Sequence, residues 1–561
     1  MFNQDFFKKN KLYILAAILV VSTTLIFFNL TRADIQHDDA TYAFRSVGYL
    51  DFMNAANNQT TPFQWFDTVP WWSHLSFHDH PPLVFIIQHL FFLVFGSSDF
   101  VARLPFALAG VASVLVLYFL AKELYHYCVG LLASLILAIS SYHTWASRVG
   151  YLESFATLLV LLTLLIFAKS LRQSKYLYLG GLLLGLSILT KYTVVFIIPA
   201  ALIYLWFKKR EYFFSIHLYW AALVTVITIS PLLVYNYMMF KTRGHFDLQL
   251  SLLFNQSRAD WPGISRGVGG LHLDHLIKVL FNSYSIFVLT LAAMAFVYFV
   301  VKLFFKAKTD NNLLLLLTLF FGILLFSFIY PEVRLLSLLN PFVALLVSLV
   351  IFELFVYFHR LGAGLGWQRQ LLAAVIILVL SFELFYNINT NLLNQPFGQP
   401  TKLYSVYRWE SGGFNNLNQF LLDKKLVSNA QPLPIRSLID VMPKTADFSG
   451  QDIFIYEPDL NWFSTLWYFA RYQIYNKYNF VSAITVNSSV PADKWLETFK
   501  LWGIRDMYYI AGKNNVVVSS DENKAASAFL ENGIANLATQ TYDVFNNIGK
   551  PAFKIYQIKI N

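Results

Sequence analysis

One cysteine, Cys128, stands in a chain of 561 residues. A disulfide within the chain is therefore excluded, and cysteine usage leaves the redox compartment open. Charge is scarce as well, at 13%. With 57% hydrophobic residues, 18% aromatic residues and a mean hydropathy of +0.51, this is a balance that a soluble domain rarely reaches. No small-x-small cleavage site follows the apolar run after Lys8, Lys9 and Lys11, so that run reads as a retained first helix rather than a leader. No repeat of fixed period stands out. The formal charge of +10 is no nucleic-acid footprint either, because much of the Lys and Arg sits in short loops between apolar runs. No nucleic-acid partner is expected.

What is present is a succession of apolar runs. About 20 such residues cross a bilayer core of about 30 Å as a helix. About eleven segments qualify, near 13–30, 101–121, 129–146, 151–169, 177–190, 192–207, 216–238, 277–305, 313–329, 335–357 and 370–388. Lys8, Lys122, Lys169, Lys208, Lys302 and Arg360, with their basic neighbours, then fall on one side, the cytoplasm. Segments 31–100, 147–150, 239–276 and 330–334, and the turn at 190/191, lie outside. Pro82–Phe95 is apolar but short for a span, and counting it would invert every later loop. It reads as an interfacial or re-entrant helix on the outer face.

Beyond residue 389 the runs stop. Asp452–Tyr456, Asp506–Ile510, Val516–Val518 and Phe553–Ile558 read as short strands. Segments 492–502 and 523–531 read as helices, the second ended by Asn532-Gly533. The expected architecture is a polytopic α-helical membrane domain, 1–389, with an external loop 31–100, followed by an extracytoplasmic α/β domain, 390–561.

The candidate chemistry begins just after the first span, at Asp38-Asp39. If 37–46 is helical, Asp38, Tyr42 and Arg45 share one face. A carboxylate beside a cation and a hydroxyl suits a general base; two carboxylates at a helix start also suit a cap. The same loop carries His80-Pro81-Pro82-Leu83, then Phe95-Gly96-Ser97-Ser98 and Arg103-Leu104-Pro105, and further on Leu189-Thr190-Lys191 and Arg334-Leu335-Leu336 before Asn340-Pro341. This ordered set, across roughly 30–345, resembles the GT-C membrane glycosyltransferases of the protein O-mannosyltransferase and lipid A aminoarabinose transferase superfamily.

The resemblance implies an inverting transferase that uses a polyprenyl-phosphate sugar, with Asp38 as catalytic base beside Asp39. The chain departs from the family pattern in having Asp-Asp where Asp-Glu is commoner, His80 where many members have Lys, and Leu335 where an aromatic is common. The sugar and the acceptor (protein, lipid or envelope glycan) stay open. The resemblance also points to His80 at the donor or acceptor site.

Residue chemistry supplies further candidates. Lys191 lies between two apolar runs, where a charge is costly unless used or paired. Arg334 suits bidentate phosphate binding or an ion pair with Glu332. Arg103 and Arg148 fall at outer span ends, where each could bind phosphate or pair with Glu153, itself one turn inside a span. His74, His78 and Asp79 are weak candidates for a divalent metal, against which Pro81 and Pro82 break any helix and Trp71-Trp72 suggest interfacial anchoring. Segment 239–276, with His245, Arg258, Trp261, Arg266 and Gly267–Gly270, suits a sugar- or phosphate-binding lid. The rival reading is a transporter or lipid flippase with Lys191 and Glu153 lining its path. The expected location is the plasma membrane, with the site outside.

Overall fold

A computed structural model describes residues 4–53, 60–256, 260–261, 270–305, 311–360, 366–393, 395–398, 412–429, 432–435, 438–441, 448–490, 494–513 and 521–560. Arg258, Arg266, Gly267 and the expected strand Val516–Val518 lie outside them.

Most of the chain is helical, and every apolar segment read from the sequence is helical. Among the described residues six helices are long and apolar enough to cross a bilayer: Lys8–Phe27, Asp99–Leu124, Glu153–Ser170, Ile286–Leu303, Val333–Phe358 and Trp367–Leu392. Two bent pairs, if each is one span, raise the number to eight. The other three expected segments correspond to the shorter helices Tyr176–Ile188, Tyr192–Lys208 and Asn312–Phe328. The chain is an integral, multi-pass membrane protein.

The breaks have local causes. Tyr127–Ile139 and Ser141–Arg148 meet at 62°. Between them the Ser140 side chain accepts from the His143 amide, which caps the second helix. Asn340 donates to the Ser140 hydroxyl at 3.1 Å, and Asn387 donates to the Ile139 carbonyl at 3.0 Å. Main-chain groups freed in an apolar layer must find such partners. Gly110 lets this corner approach Asp99–Leu124: a Cβ there would collide with Ser147. The second pair, Ile216–Thr228 and Ser230–Arg243, bends by 56° at Ser230-Pro231, with proline in the first turn. The segment expected at 277–305 is in fact two helices, Leu273–Ser283 and Ile286–Phe305, parted at Tyr284-Ser285.

Leu83–Phe95 is a 13-residue helix. Val84, Phe85, Gln88 and Phe92 face inward, while Ile86, Leu90, Leu93 and Val94 are exposed. Such a two-sided pattern suits a helix packed on protein along one stripe and on lipid along the other.

The C-terminal region forms a five-stranded sheet of β1 (Ile453–Tyr456), β2 (Asn479–Ser482), β3 (Asp506–Gly512), β4 (Gln540–Phe545) and β5 (Pro551–Lys559), in the order β2-β1-β3-β5-β4. β1 runs parallel to β2 and β3; β5 is antiparallel to β3 and β4. The helix expected over 523–531 continues through Asn532-Gly533 as Asp521–Ala535.

One sheet face fixes the site. Phe454, Phe480, Tyr508 and Phe553 share a core with Ile35, Ala40, Ala43, Phe44 and Val47 from the loop after the first span. Polar ties reinforce this contact. The Asp34 carboxylate accepts from the amides of Gly413, Phe414 and Asn415 at 2.8, 3.1 and 2.9 Å, at the start of helix Phe414–Asp423. Tyr475 donates to the Phe44 carbonyl at 3.0 Å, and Trp467 donates to Asp99 at 2.6 Å.

Candidate active site

Asp38-Asp39 opens the helix Asp38–Gly48, and the two carboxylates take different tasks. Asp39 is buried and accepts from the main-chain amides of His37 at 2.9 Å and Ala40 at 3.0 Å. It satisfies helix-start donors and stands 3.9 Å from Arg103. Asp38 is the more exposed of the two. Its carboxylate forms an ion pair with Arg334, which also bonds Glu332 at 2.9 Å.

Tyr42, one turn along the same helix, brings its hydroxyl to 3.1 Å from His80 Nε2 and 3.5 Å from Arg334. Burial, then the nearby carboxylates Glu153 and Asp79, push its acidity well below that of a free phenol. Tyr42 thus stays a neutral hydroxyl, fit to donate to an anion. His80 Nδ1 lies 3.1 Å from Asp79. Arg45 does not join Asp38; fully buried, it bonds Asp79 at 2.7 Å. Burial alone would raise the Asp79 carboxyl, but Arg45, His78 and His80 outweigh it and hold the group well below the usual carboxylate range. Glu332, Arg334, Asp38, Tyr42, His80, Asp79 and Arg45 thereby form one polar chain, exposed at Asp38 and sealed at Arg45.

Two sequence candidates are committed to main-chain carbonyls. Arg148 is spent on the first span: Nη1 donates to the carbonyls of Leu25, Ile26 and Phe28, and Nη2 to that of Asn29, at 2.7–3.1 Å. Arg103 likewise donates to Leu30, Ala33 and Asp34 at 2.7–3.0 Å. Arg148 thus caps carbonyls where the first helix ends, a favourable place for a cation, and Arg103 holds the loop that follows. Neither pairs with Glu153, whose partner is Lys191. That buried pair closes on itself, so neither charge stands open on a translocation path.

Of the weak metal candidates, His78 and Asp79 approach to 3.8 Å, but each is held by other partners. His78 Nδ1 bonds Asp51 at 2.8 Å, Asp79 is committed to Arg45 and His80, and the His74 carbonyl accepts from Tyr49. Among the described residues no group of three or more His, Cys, Asp or Glu is placed to hold a metal, so these donors do not fit one. Trp71 is exposed as an anchor would be, but Trp72 is buried against Tyr235.

The residue pattern does not signal what holds residues 239–256 and 260–261 in place. The Leu248 amide donates to the His78 carbonyl at 2.7 Å. Asp247 takes bonds from Tyr192 and Asn236. His245 bonds Asp260 at 2.9 Å, and Trp261 is wholly buried, so these two expected lid residues are locked side chains rather than open ligands.

Comparison with known proteins shows what this fold is similar to. ArnT from Cupriavidus metallidurans, in its apo state, superposes with a TM-score of 0.53 over 98% of this chain and 98% of that one, at 12% identity. The oligosaccharyltransferase of Archaeoglobus fulgidus does so with 0.51 over 90% of this chain and 70% of that one, also at 12% identity. Residues 79–235 match the family described as dolichyl-phosphate-mannose-protein mannosyltransferase. YycA of Bacillus subtilis, named as a candidate mannosyltransferase, is 30% identical over 135 residues. That match covers 24% of this chain and only 20% of YycA. The chain thus shares its fold with these two membrane proteins, and over residues 79–235 it carries a sequence likeness to the mannosyltransferase family.

Proposed function

We propose that the chain is an inverting glycosyltransferase that takes a sugar from a polyprenyl-phosphate carrier and passes it to an extracytoplasmic acceptor. The observation that carries this reading is the partly exposed Asp38, held against Arg334 beside the hydroxyl of Tyr42 and the imidazole of His80. It sets a proton acceptor next to three groups able to bind an anion. A structure of ArnT bound to undecaprenyl phosphate, with a TM-score of 0.53 and 12% identity to this chain, supports the choice of donor class.

In this mechanism the donor phosphate draws Arg334 away from Asp38 and onto itself. Asp38 then removes the acceptor proton, and the acceptor atom bonds the anomeric carbon as the bond from that carbon to the phosphate oxygen breaks. Arg334, Tyr42 and His80 receive the negative charge that collects on the departing polyprenyl phosphate. Asp39 holds the helix start, and Arg103 and Arg148 hold the end of the first span beneath it. Eleven spans would place this centre outside the plasma membrane, with 1–389 as catalytic domain and 390–561 as the external domain above it.

The test is transfer of labelled sugar from a panel of polyprenyl-phosphate donors, with purified full chain in lipid and host membrane extract as acceptor. Asp38→Asn should lower kcat by about 10²–10⁴-fold, the range for loss of a general base. Full activity in folded Asp38→Asn and Asp38→Ala enzymes would sink the proposal.

A further inference from the structure

A cavity of about 820 Å³ opens between the helices Ile286–Phe305 and Asn340–Arg360. This is the volume of a ligand pocket, yet it lies far from Asp38. The span Val333–Phe358 has Arg334 near its start and Arg360 just beyond its end. Its 26 residues rise about 39 Å at 1.5 Å each, close to a full bilayer with its headgroups. The cavity takes residues 294–302 from one helix and 350–360 from the other, so it occupies the leaflet opposite the candidate active site.

Its walls and its end differ in chemistry. Met294, Tyr298, Leu354 and Tyr357 line it and stay exposed, so the cavity opens sideways where lipid chains would lie. Lys302 and Arg360 stand at the end. Glu353 is the one carboxylate in the lining, and it is committed to Lys302 and to the Tyr298 hydroxyl. Among the described residues Arg360 is exposed and has no ion pair. The lining therefore carries one positive charge in excess, beside tyrosines of the kind enriched at membrane interfaces.

We infer that this groove is a binding site for one anionic phospholipid. Its phosphate meets Arg360 with Lys302 alongside, and an acyl chain lies against Met294 and Leu354. Helix C-terminal ends favour cations by themselves, but that effect does not account for an apolar cavity opening beside them. The groove selects among lipids by headgroup charge, because its apolar walls accept any acyl chain.

The experiment is native mass spectrometry of the full chain in detergent, with phosphatidylglycerol and phosphatidylcholine of identical chains in equal amounts. The wild type should retain phosphatidylglycerol in preference. Arg360→Gln should reduce that preference by roughly fivefold, the value of one basic contact at a membrane surface. Leu354→Trp, which fills the groove, should lower retention of both lipids, and soluble glycerol phosphate should not compete. Equal retention of the two lipids by the wild type would overturn the inference. So would unchanged retention in both variants with wild-type melting, or displacement by glycerol phosphate.

Discussion

Arg334 closes on Asp38, joining the start of the span Val333–Phe358 to the first turn of the helix that follows the first span. The pair occupies the proposed base with the group proposed to bind the leaving phosphate. Substrate entry and activation of the base then become one event.

Arg334→Gln should therefore lose activity through both functions. The expected fall in kcat/KM is about 10²–10³-fold, the scale for removing one charge-stabilising donor. Arg334→Lys should recover part of it, as a point charge without the bidentate fork. The double variant with Asp38→Asn should be little worse than Asp38→Asn alone, because the two act as a unit. Steady-state transfer kinetics with donor varied would check this, and additive losses would contradict it.

Arg148 should behave as a structural residue. Four carbonyls at the end of the first span lose their donor in Arg148→Gln. At about 1–3 kcal/mol for each buried group left unpaired, melting in detergent should fall by several degrees. The KM for the donor in protein that remains folded should stay within about twofold of wild type, well below the tenfold of 1.4 kcal/mol. A selective rise in donor KM at unchanged melting temperature would return Arg148 to the binding site.

Lys191→Met strands the buried Glu153 carboxylate. Removing one partner of such a pair costs about 3–5 kcal/mol, whereas replacing both with neutral groups is often close to harmless. Lys191→Met with Glu153→Gln should thus recover most of the melting temperature lost by Lys191→Met alone. A double variant as unstable as the single one would show that the pair is more than self-compensating.

The sheet domain should carry its own pH dependence. Burial pushes the Glu457 carboxyl up to about 7 from 4.5, against the opposing bond from the Gly512 amide. The folded domain then holds this proton more tightly than the unfolded chain does. Its contribution is full below pH 4.5 and is lost as the pH rises to about 7. Glu457→Gln keeps a group able to accept from Gly512 and removes the charge. Hydrogen exchange across β1 and β3 should show it more protected than wild type at pH 8, by up to about 3 kcal/mol, with the difference absent at pH 4.

The apolar helices and the helix start at Asp38-Asp39 were legible because both signals are local. A run of apolar residues states its own need for burial, and an acidic pair at a span end states its cost. Arg103 and Arg148 were misleading for the same reason. A guanidinium at an outer span end looks alike in sequence whether it meets phosphate or carbonyl, and only the packing of its helix against residues 25–34 decides. The Arg45–Asp79 bond joins residues whose approach depends on the packing of two helices. β2 has four residues, and β4 is a mostly exposed edge strand, so neither offers the alternating apolar signal of β5. Asn532-Gly533 failed to stop its helix because a glycine costs a helix interior only about 1 kcal/mol.

Asp34 fastens the loop after the first span to the amides of Gly413, Phe414 and Asn415, four residues before the acidic pair. A load pulling on the sheet domain is therefore delivered along a very short tether to Asp38. The domain is a mechanical part of the centre as much as a cover for it. Cutting the chain after the last span would not trim an accessory; it would unfasten the segment that carries Asp38.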